Sequence, residues 1–103
     1  MATSNPVMML VTYTPKMGCE AELVDLLKKH WSTLRRLDLV TPAPGKLWRA
    51  SDKDSGRVRF LEMFEWADAT SSDIAHQTPD VMAVWEPMGP LLESMSFQRL
   101  QQL

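Results

Sequence analysis

The stretch Arg57-Val58-Arg59-Phe60-Leu61-Glu62-Met63-Phe64-Glu65-Trp66 constrains the fold more than any other, because it reads as a long β-strand that cannot lie on an open surface. Side chains alternate along a strand, so Val58, Phe60, Glu62, Phe64 and Trp66 share one face, and Arg57, Arg59, Leu61, Met63 and Glu65 share the other. An antiparallel sheet lying on one layer of helices needs only one apolar face, and here both carry large apolar groups. Two covers are therefore expected. The more apolar face also holds one carboxylate, Glu62. A charge in such a place is costly unless paired, so Glu62 marks where chemistry could sit.

The rest of the chain arranges itself around this central strand. Val7-Met8-Met9-Leu10-Val11-Thr12-Tyr13, closed by Thr14-Pro15, reads as a first strand buried on both faces. The turn Lys16-Met17-Gly18 opens a helix whose apolar stripe is Leu23, Leu26, Leu27, His30, Trp31, Leu34 and Leu37, with His30 near its middle. Its opposite side is solvated, with Glu22 and Asp25 leading and Arg35 and Arg36 following, as the helix dipole favours. Prolines in Thr41-Pro42-Ala43-Pro44-Gly45 exclude helix and predict a connector to a second strand over 46–51. Asp52-Lys53-Asp54-Ser55-Gly56 then supplies a hairpin loop that pairs the second strand with the central one.

Past Trp66, the run Asp68-Ala69-Thr70-Ser71-Ser72 offers helix caps for a short turn through Ile74 and His76, and Thr78-Pro79 reads as a cap followed by a first-turn proline. The stripe Val81, Val84, Trp85, Met88, Leu91 and Leu92 is broken by Pro87 and Pro90, which predicts a kink or restart near Glu86. Residues 95–100 close the chain as a fourth strand. The order βαββαβ predicts an α+β, ferredoxin-like fold: a four-stranded antiparallel sheet with two helical segments on one face. A flexible tail is expected over residues 1–6 and a single domain over 7–103.

That arrangement leaves one sheet face bare. About eight apolar side chains at roughly 1.5–3 kcal/mol each would forfeit on the order of 10 kcal/mol there, an amount that rivals the ~5–15 kcal/mol net stability of a small domain. A second copy packed sheet to sheet is the expected cover, making the protein a homodimer.

Composition narrows the partners. Eleven basic residues against 13 acidic ones, spread without runs, give no footprint for nucleic acid or an anionic membrane. No apolar run approaches the ~20 residues that cross a bilayer, and the start of the chain has neither the basic region nor the apolar length of an export signal. The single cysteine, Cys19, fits a reducing compartment, so a cytoplasmic location is expected; nothing near it looks like a base, and it is read as inert. Two distant histidines make a poor metal site, and there is no phosphate-cradling glycine loop or nucleophile elbow. No cofactor is expected.

The βαββαβ order, the strand ending Phe64-Glu65-Trp66, and the later His76-Gln77-Thr78-Pro79-Asp80-Val81 with Trp85-Glu86-Pro87 resemble the dimeric α/β-barrel superfamily, and within it the antibiotic-biosynthesis-monooxygenase-like domains. The resemblance spans about residues 7 to 100. It implies two ferredoxin-like protomers sharing a barrel, each with a ligand cleft between its sheet and its helices. Known members include cofactor-independent oxygenases of phenols and quinols, haem-degrading enzymes, and many proteins of unassigned activity. The haem-degrading relatives carry an asparagine, a tryptophan and a histidine at places where this chain has Val11, Ala75 and Trp85. Trp66 and His76 imitate the tryptophan-histidine spacing, but Trp66 ends a strand.

Three residues are candidate bases. His30 is either a core histidine bonded to backbone or to Tyr13, or a cleft base paired with Glu62. Glu62 either serves that pair, turns toward a loop, or meets Arg49 on the neighbouring strand. His76 is either a surface or capping histidine or stands at the cleft mouth beside Trp66. Four tryptophans and eight methionines in so short a chain suit a flat aromatic ligand, with Tyr13, Trp31, Trp66 and Trp85 as candidate contacts, although tryptophans such as Trp31, Trp48, Trp66 and Trp85 are more often core than a platform for a ligand. Together with the resemblance, these residues lead to the expectation of cofactor-free monooxygenation of a phenol- or quinol-like molecule; the alternative is a non-catalytic binding or dimerisation module.

Overall fold

The computed structural model describes residues 5–103, so most of the tail expected over 1–6 lies outside the described residues. The elements are β1 (Val7–Pro15), α1 (Glu20–Arg36), β2 (Lys46–Ser51), β3 (Val58–Trp66), α2 (Ser71–His76), α3 (Pro79–Trp85), a 3-10 segment (Glu86–Leu91) and β4 (Leu92–Leu100). The strands form one antiparallel sheet in the order β2-β3-β1-β4, a ferredoxin-like α+β fold. The long strand singled out above does lie inside the sheet, sharing the centre with β1. Val11 faces Glu62 across that pair, and Tyr13 faces Phe60.

The alternation read from β3 is the alternation observed. Phe60, Glu62, Phe64 and Trp66 are buried while Arg59, Leu61, Met63 and Glu65 are half-buried. On α1 the buried residues are Leu23, Leu27, His30 and Leu34, a seam at helical spacing, with Leu26, Trp31 and Leu37 packed at its flanks. The helix ends in a Schellman turn: Asp38 takes a left-handed φ of 59°, its amide bonds the Arg35 carbonyl at 3.1 Å, and the Leu39 amide bonds the Leu34 carbonyl at 3.0 Å. This returns the chain so that Val40 bridges Trp66.

Three local readings are revised. The cap-rich run before α2 is used differently from the expectation. The Thr70 amide and hydroxyl both donate to Asp68 Oδ1, at 2.8 and 2.7 Å, which holds the Asp68 carboxyl below its usual value, while Thr70 itself caps nothing. Thr78 does take the N-cap position of α3 with Pro79 in the first turn, but its hydroxyl donates back to the Ile74 carbonyl at 2.7 Å, so the cap makes no side-chain bond into α3. The fourth strand begins at Leu92 rather than Met95, because pairing with β1 continues past Thr14 to Pro15 through an irregularity in register. The proline break is as expected: α3 stops at Trp85 and gives way to the 3-10 turn containing Pro87 and Pro90.

These short helices are what make room for a site. They do not reach over β4, whose inward residues Met95 and Phe97 stay exposed, Phe97 at 63%. A hollow remains between β1, β4 and the α2 to 3-10 region.

Candidate functional site

Four side chains from four elements meet beneath that hollow, three of them lining it. Glu62 stands on the inner face of β3, Tyr13 on the inner face of β1, and His30 in the middle of the buried seam of α1, exposed by 2%, 1% and 3% respectively. The Tyr13 hydroxyl donates to Glu62 Oε1 at 2.7 Å. His30 Nδ1 lies 2.9 Å from both Glu62 oxygens. On the far side of the imidazole, Trp85 Nε1 donates to His30 Nε2 at 2.7 Å.

The proton positions follow from donor chemistry. An indole nitrogen can only donate, so Nε2 must accept and carries no proton. The ring proton is then on Nδ1, where it is donated to the Glu62 carboxylate. The line runs Trp85 to His30 to Glu62, with Tyr13 donating from the other end, and each polar atom in it has a partner. Burial, then the Glu62 charge, then the hydrogen bond to it push the Tyr13 hydroxyl far above the ordinary tyrosine value, so it stays a donor.

The hollow has a volume of about 510 Å³, within the ~300–1,000 Å³ range of small-molecule sites. Its walls are mainly apolar: Met9, Val11, Met82, Met88, Leu92 and Met95. Phe64, Trp66, Trp85 and Phe97 supply aromatic surface, and Phe64 and Trp66 meet edge to face with centroids 4.9 Å apart. Tyr13, His30, Ser72 and His76 are the polar lining. Glu62 does not reach the hollow and touches it only through Tyr13 and His30.

His76 is an exposed residue that also lines the hollow, as the buried Trp66 does. Its Nδ1 is 2.7 Å from the Ser72 carbonyl, so Nδ1 donates and Nε2 of the neutral ring is left unengaged by that bond. The ring meets Trp85 with centroids 4.8 Å apart.

Of the other residues weighed above, Arg49 does not pair with Glu62; its guanidinium lies over the Phe60 ring, 5.3 Å from the centroid. Trp31 lies away from the hollow, against Gly45, and its buried Nε1 has no hydrogen-bond partner among the described residues. Trp48 is on the outer sheet face opposite Leu61, 45% exposed. Tyr13, Trp66 and Trp85 do line the hollow.

Sequence reasoning missed Ser72, Met82 and Phe97 as lining residues. Phe97 carried a signal, since Met95, Phe97 and Arg99 alternate against Ser94, Ser96 and Gln98. The Trp85–His30 bond spans 55 residues and has no local signal.

No protein-family model matches this chain, and no curated protein matches it. Solved structures do. A variant of SnoaB, a cofactor-independent oxygenase from Streptomyces nogalater, superposes with a TM-score of 0.72 at 13% identity, covering 96% of this chain and 94% of that one. A structure described as an antibiotic biosynthesis monooxygenase gives a TM-score of 0.72 at 15% identity, covering 94% and 98%. A NIPSNAP family protein from Agrobacterium tumefaciens gives 0.69 at 12% identity, covering 100% and 90%. The chain therefore has the fold of antibiotic-biosynthesis-monooxygenase-like domains, and at such identities the likeness concerns the fold alone.

Proposed function

We propose that this protein is a homodimeric, cofactor-independent monooxygenase of electron-rich phenols or quinols, working in the cytoplasm with one site per protomer. The observation that carries the reading is the Tyr13–Glu62–His30 chain beneath an apolar hollow. The fold it shares with a cofactor-independent oxygenase supports it.

A phenol with hydrogen on its para carbon can itself supply the electrons that dioxygen takes up. One oxygen atom replaces that hydrogen to give a quinone, the other leaves as water, and the substrate gives up four electrons. Such a phenol reacts with oxygen far more readily as its anion, so the protein must take the hydroxyl proton and keep the anion dry. His30 is placed to take it at Nε2. Glu62 holds the ring by Nδ1 and opposes the positive charge that then forms, while Tyr13 fixes Glu62. The apolar walls exclude water, and the exposed His76 offers a second nitrogen.

The test is oxygen uptake with a panel of electron-rich phenols that carry a para hydrogen, with hydrogen peroxide assayed beside it to exclude simple oxidation. One dioxygen consumed per quinone formed is expected, with the rate falling by about 10²–10⁴ when His30→Gln and Glu62→Gln are combined. Equal uptake by the native protein and the double variant would instead leave a binding module without catalysis.

A further inference from the structure

The base of the proposed reaction is already occupied. Its one lone pair, on His30 Nε2, holds the Trp85 indole N–H at 2.7 Å. A substrate hydroxyl cannot deliver a proton to Nε2 while that bond stands, and a protonated Nε2 cannot accept from an indole. Proton transfer and the observed bond exclude each other.

The pair is matched to one kind of visitor. An acceptor nitrogen and a donor N–H that face each other are both satisfied by a hydroxyl placed between them, since a hydroxyl donates through its hydrogen and accepts through its oxygen. A hydrocarbon or an ether that parted them would leave Nε2 without a donor at the floor of an apolar hollow. Trp85 is also positioned to yield. It is half-buried, it is the last residue of α3, and the proline-containing 3-10 turn follows it directly. Its ring lies between the buried His30, centroids 5.9 Å apart, and the exposed His76.

We propose that Trp85 is a catalytic residue whose indole N–H leaves His30 Nε2 to hold the oxygen of an entering hydroxyl, making that hydroxyl the group the site selects. This rests on the oxygenase reading for the identity of the base. In the step itself the substrate O–H bond breaks and a bond from hydrogen to Nε2 forms; the electron pair stays on oxygen. The oxyanion then receives the Trp85 N–H on one side and the imidazolium on the other, and Glu62 balances the imidazolium from behind.

4-Nitrophenol, coloured only when ionised, tests the exchange, with 4-nitroanisole as its hydroxyl-free twin. The native protein is expected to bind the phenol at least about tenfold more tightly than the ether and to hold it ionised at a pH where the free phenol is largely neutral. Trp85→Phe, which keeps a flat ring but lacks the N–H, is expected to lose most of that ionisation and most of the discrimination. Independently of any variant's folding, the Trp85 indole N–H resonance of the native protein should shift when the phenol binds and stay in place with the ether. If His30→Gln abolishes ionisation but Trp85→Phe retains both ionisation and discrimination, or if the indole resonance ignores the phenol, Trp85 does not have this role and the oxygenase reading survives. If the native protein neither binds nor ionises the phenol, both fall.

Discussion

Tyr13 is the only tyrosine in the chain, which makes its state directly readable. Folded Tyr13 keeps its proton well above pH 10, where an unfolded tyrosine would lose it, because it is buried beside the Glu62 carboxylate. Its contribution is therefore whole below about pH 10 and shrinks as the pH rises further, by up to about 1.4 kcal/mol per pH unit. Tyrosinate absorbance should appear only as the chain unfolds, and Tyr13→Phe should lack this alkaline slope in urea titrations while costing about 1.5–3 kcal/mol at neutral pH. A second residue-level prediction concerns Gly45, where an added Cβ would stand 2.6 Å from Trp31 Cδ1. Gly45→Ala should destabilise by about 1–3 kcal/mol, and most of that loss should vanish in a Trp31→Leu background, measured as a double-mutant cycle. The neighbours of these two residues also mark what could be read from the sequence. His30 and Glu62 stood out because a titratable group on an apolar face needs a partner, and they proved to be partners of each other. Trp31 sat on the same stripe as His30, but which tryptophan faces a hollow depends on where the short helices stop covering the sheet, and no local pattern encodes that.

At the scale of elements, alternation and helical spacing made the strands and α1 legible, and prolines fixed where α3 would fail. Caps were less legible, since a threonine hydroxyl can bond backward as easily as forward, as Thr78 does. The end of α1 carried no glycine to announce it. Asp38 occupies the left-handed position that glycine fills more easily, and its carboxylate faces the negative end of the helix dipole. Its exposed ion pair with Arg35 at 3.2 Å is worth at most about 1 kcal/mol. Asp38→Gly is therefore expected to stabilise the fold by about 0.5–1 kcal/mol, and Asp38→Ala, which removes the charge but keeps a Cβ, should be less stable than Asp38→Gly, both read from urea midpoints.

At the scale of the whole molecule, the shortest dimension is 19 Å, room for one sheet and one layer of helices. Among the described residues, the outer sheet face is left without a covering layer. Met8, Leu10, Leu61 and Met63 are half-buried there, beside Trp48 and Leu100, which are more exposed. That is a smaller loss than eight fully exposed side chains would give, because sheet neighbours already shield the middle of the patch. Two charges on this face are engaged within the chain: Arg59 pairs with Asp52 at 2.6 Å, and Glu65 accepts from Thr41 at 2.8 Å, while the exposed Lys46 lies opposite Met63 on the sheet's β2 edge. A face with an apolar centre and its charges at the edges suits a like face better than it suits water, and two copies related by a twofold axis would each present Leu61 and Met63 to the other. Sedimentation at micromolar concentration should therefore find a dimer, and the thermal midpoint should rise with protein concentration. Leu61→Glu would place an unpaired charge in the middle of the contact and is expected to yield monomers of lower stability, while Lys28→Glu, on the exposed side of α1 away from the sheet face, should leave the dimer intact. A stable monomer of the native chain would show that the half-shielded sheet can face water alone.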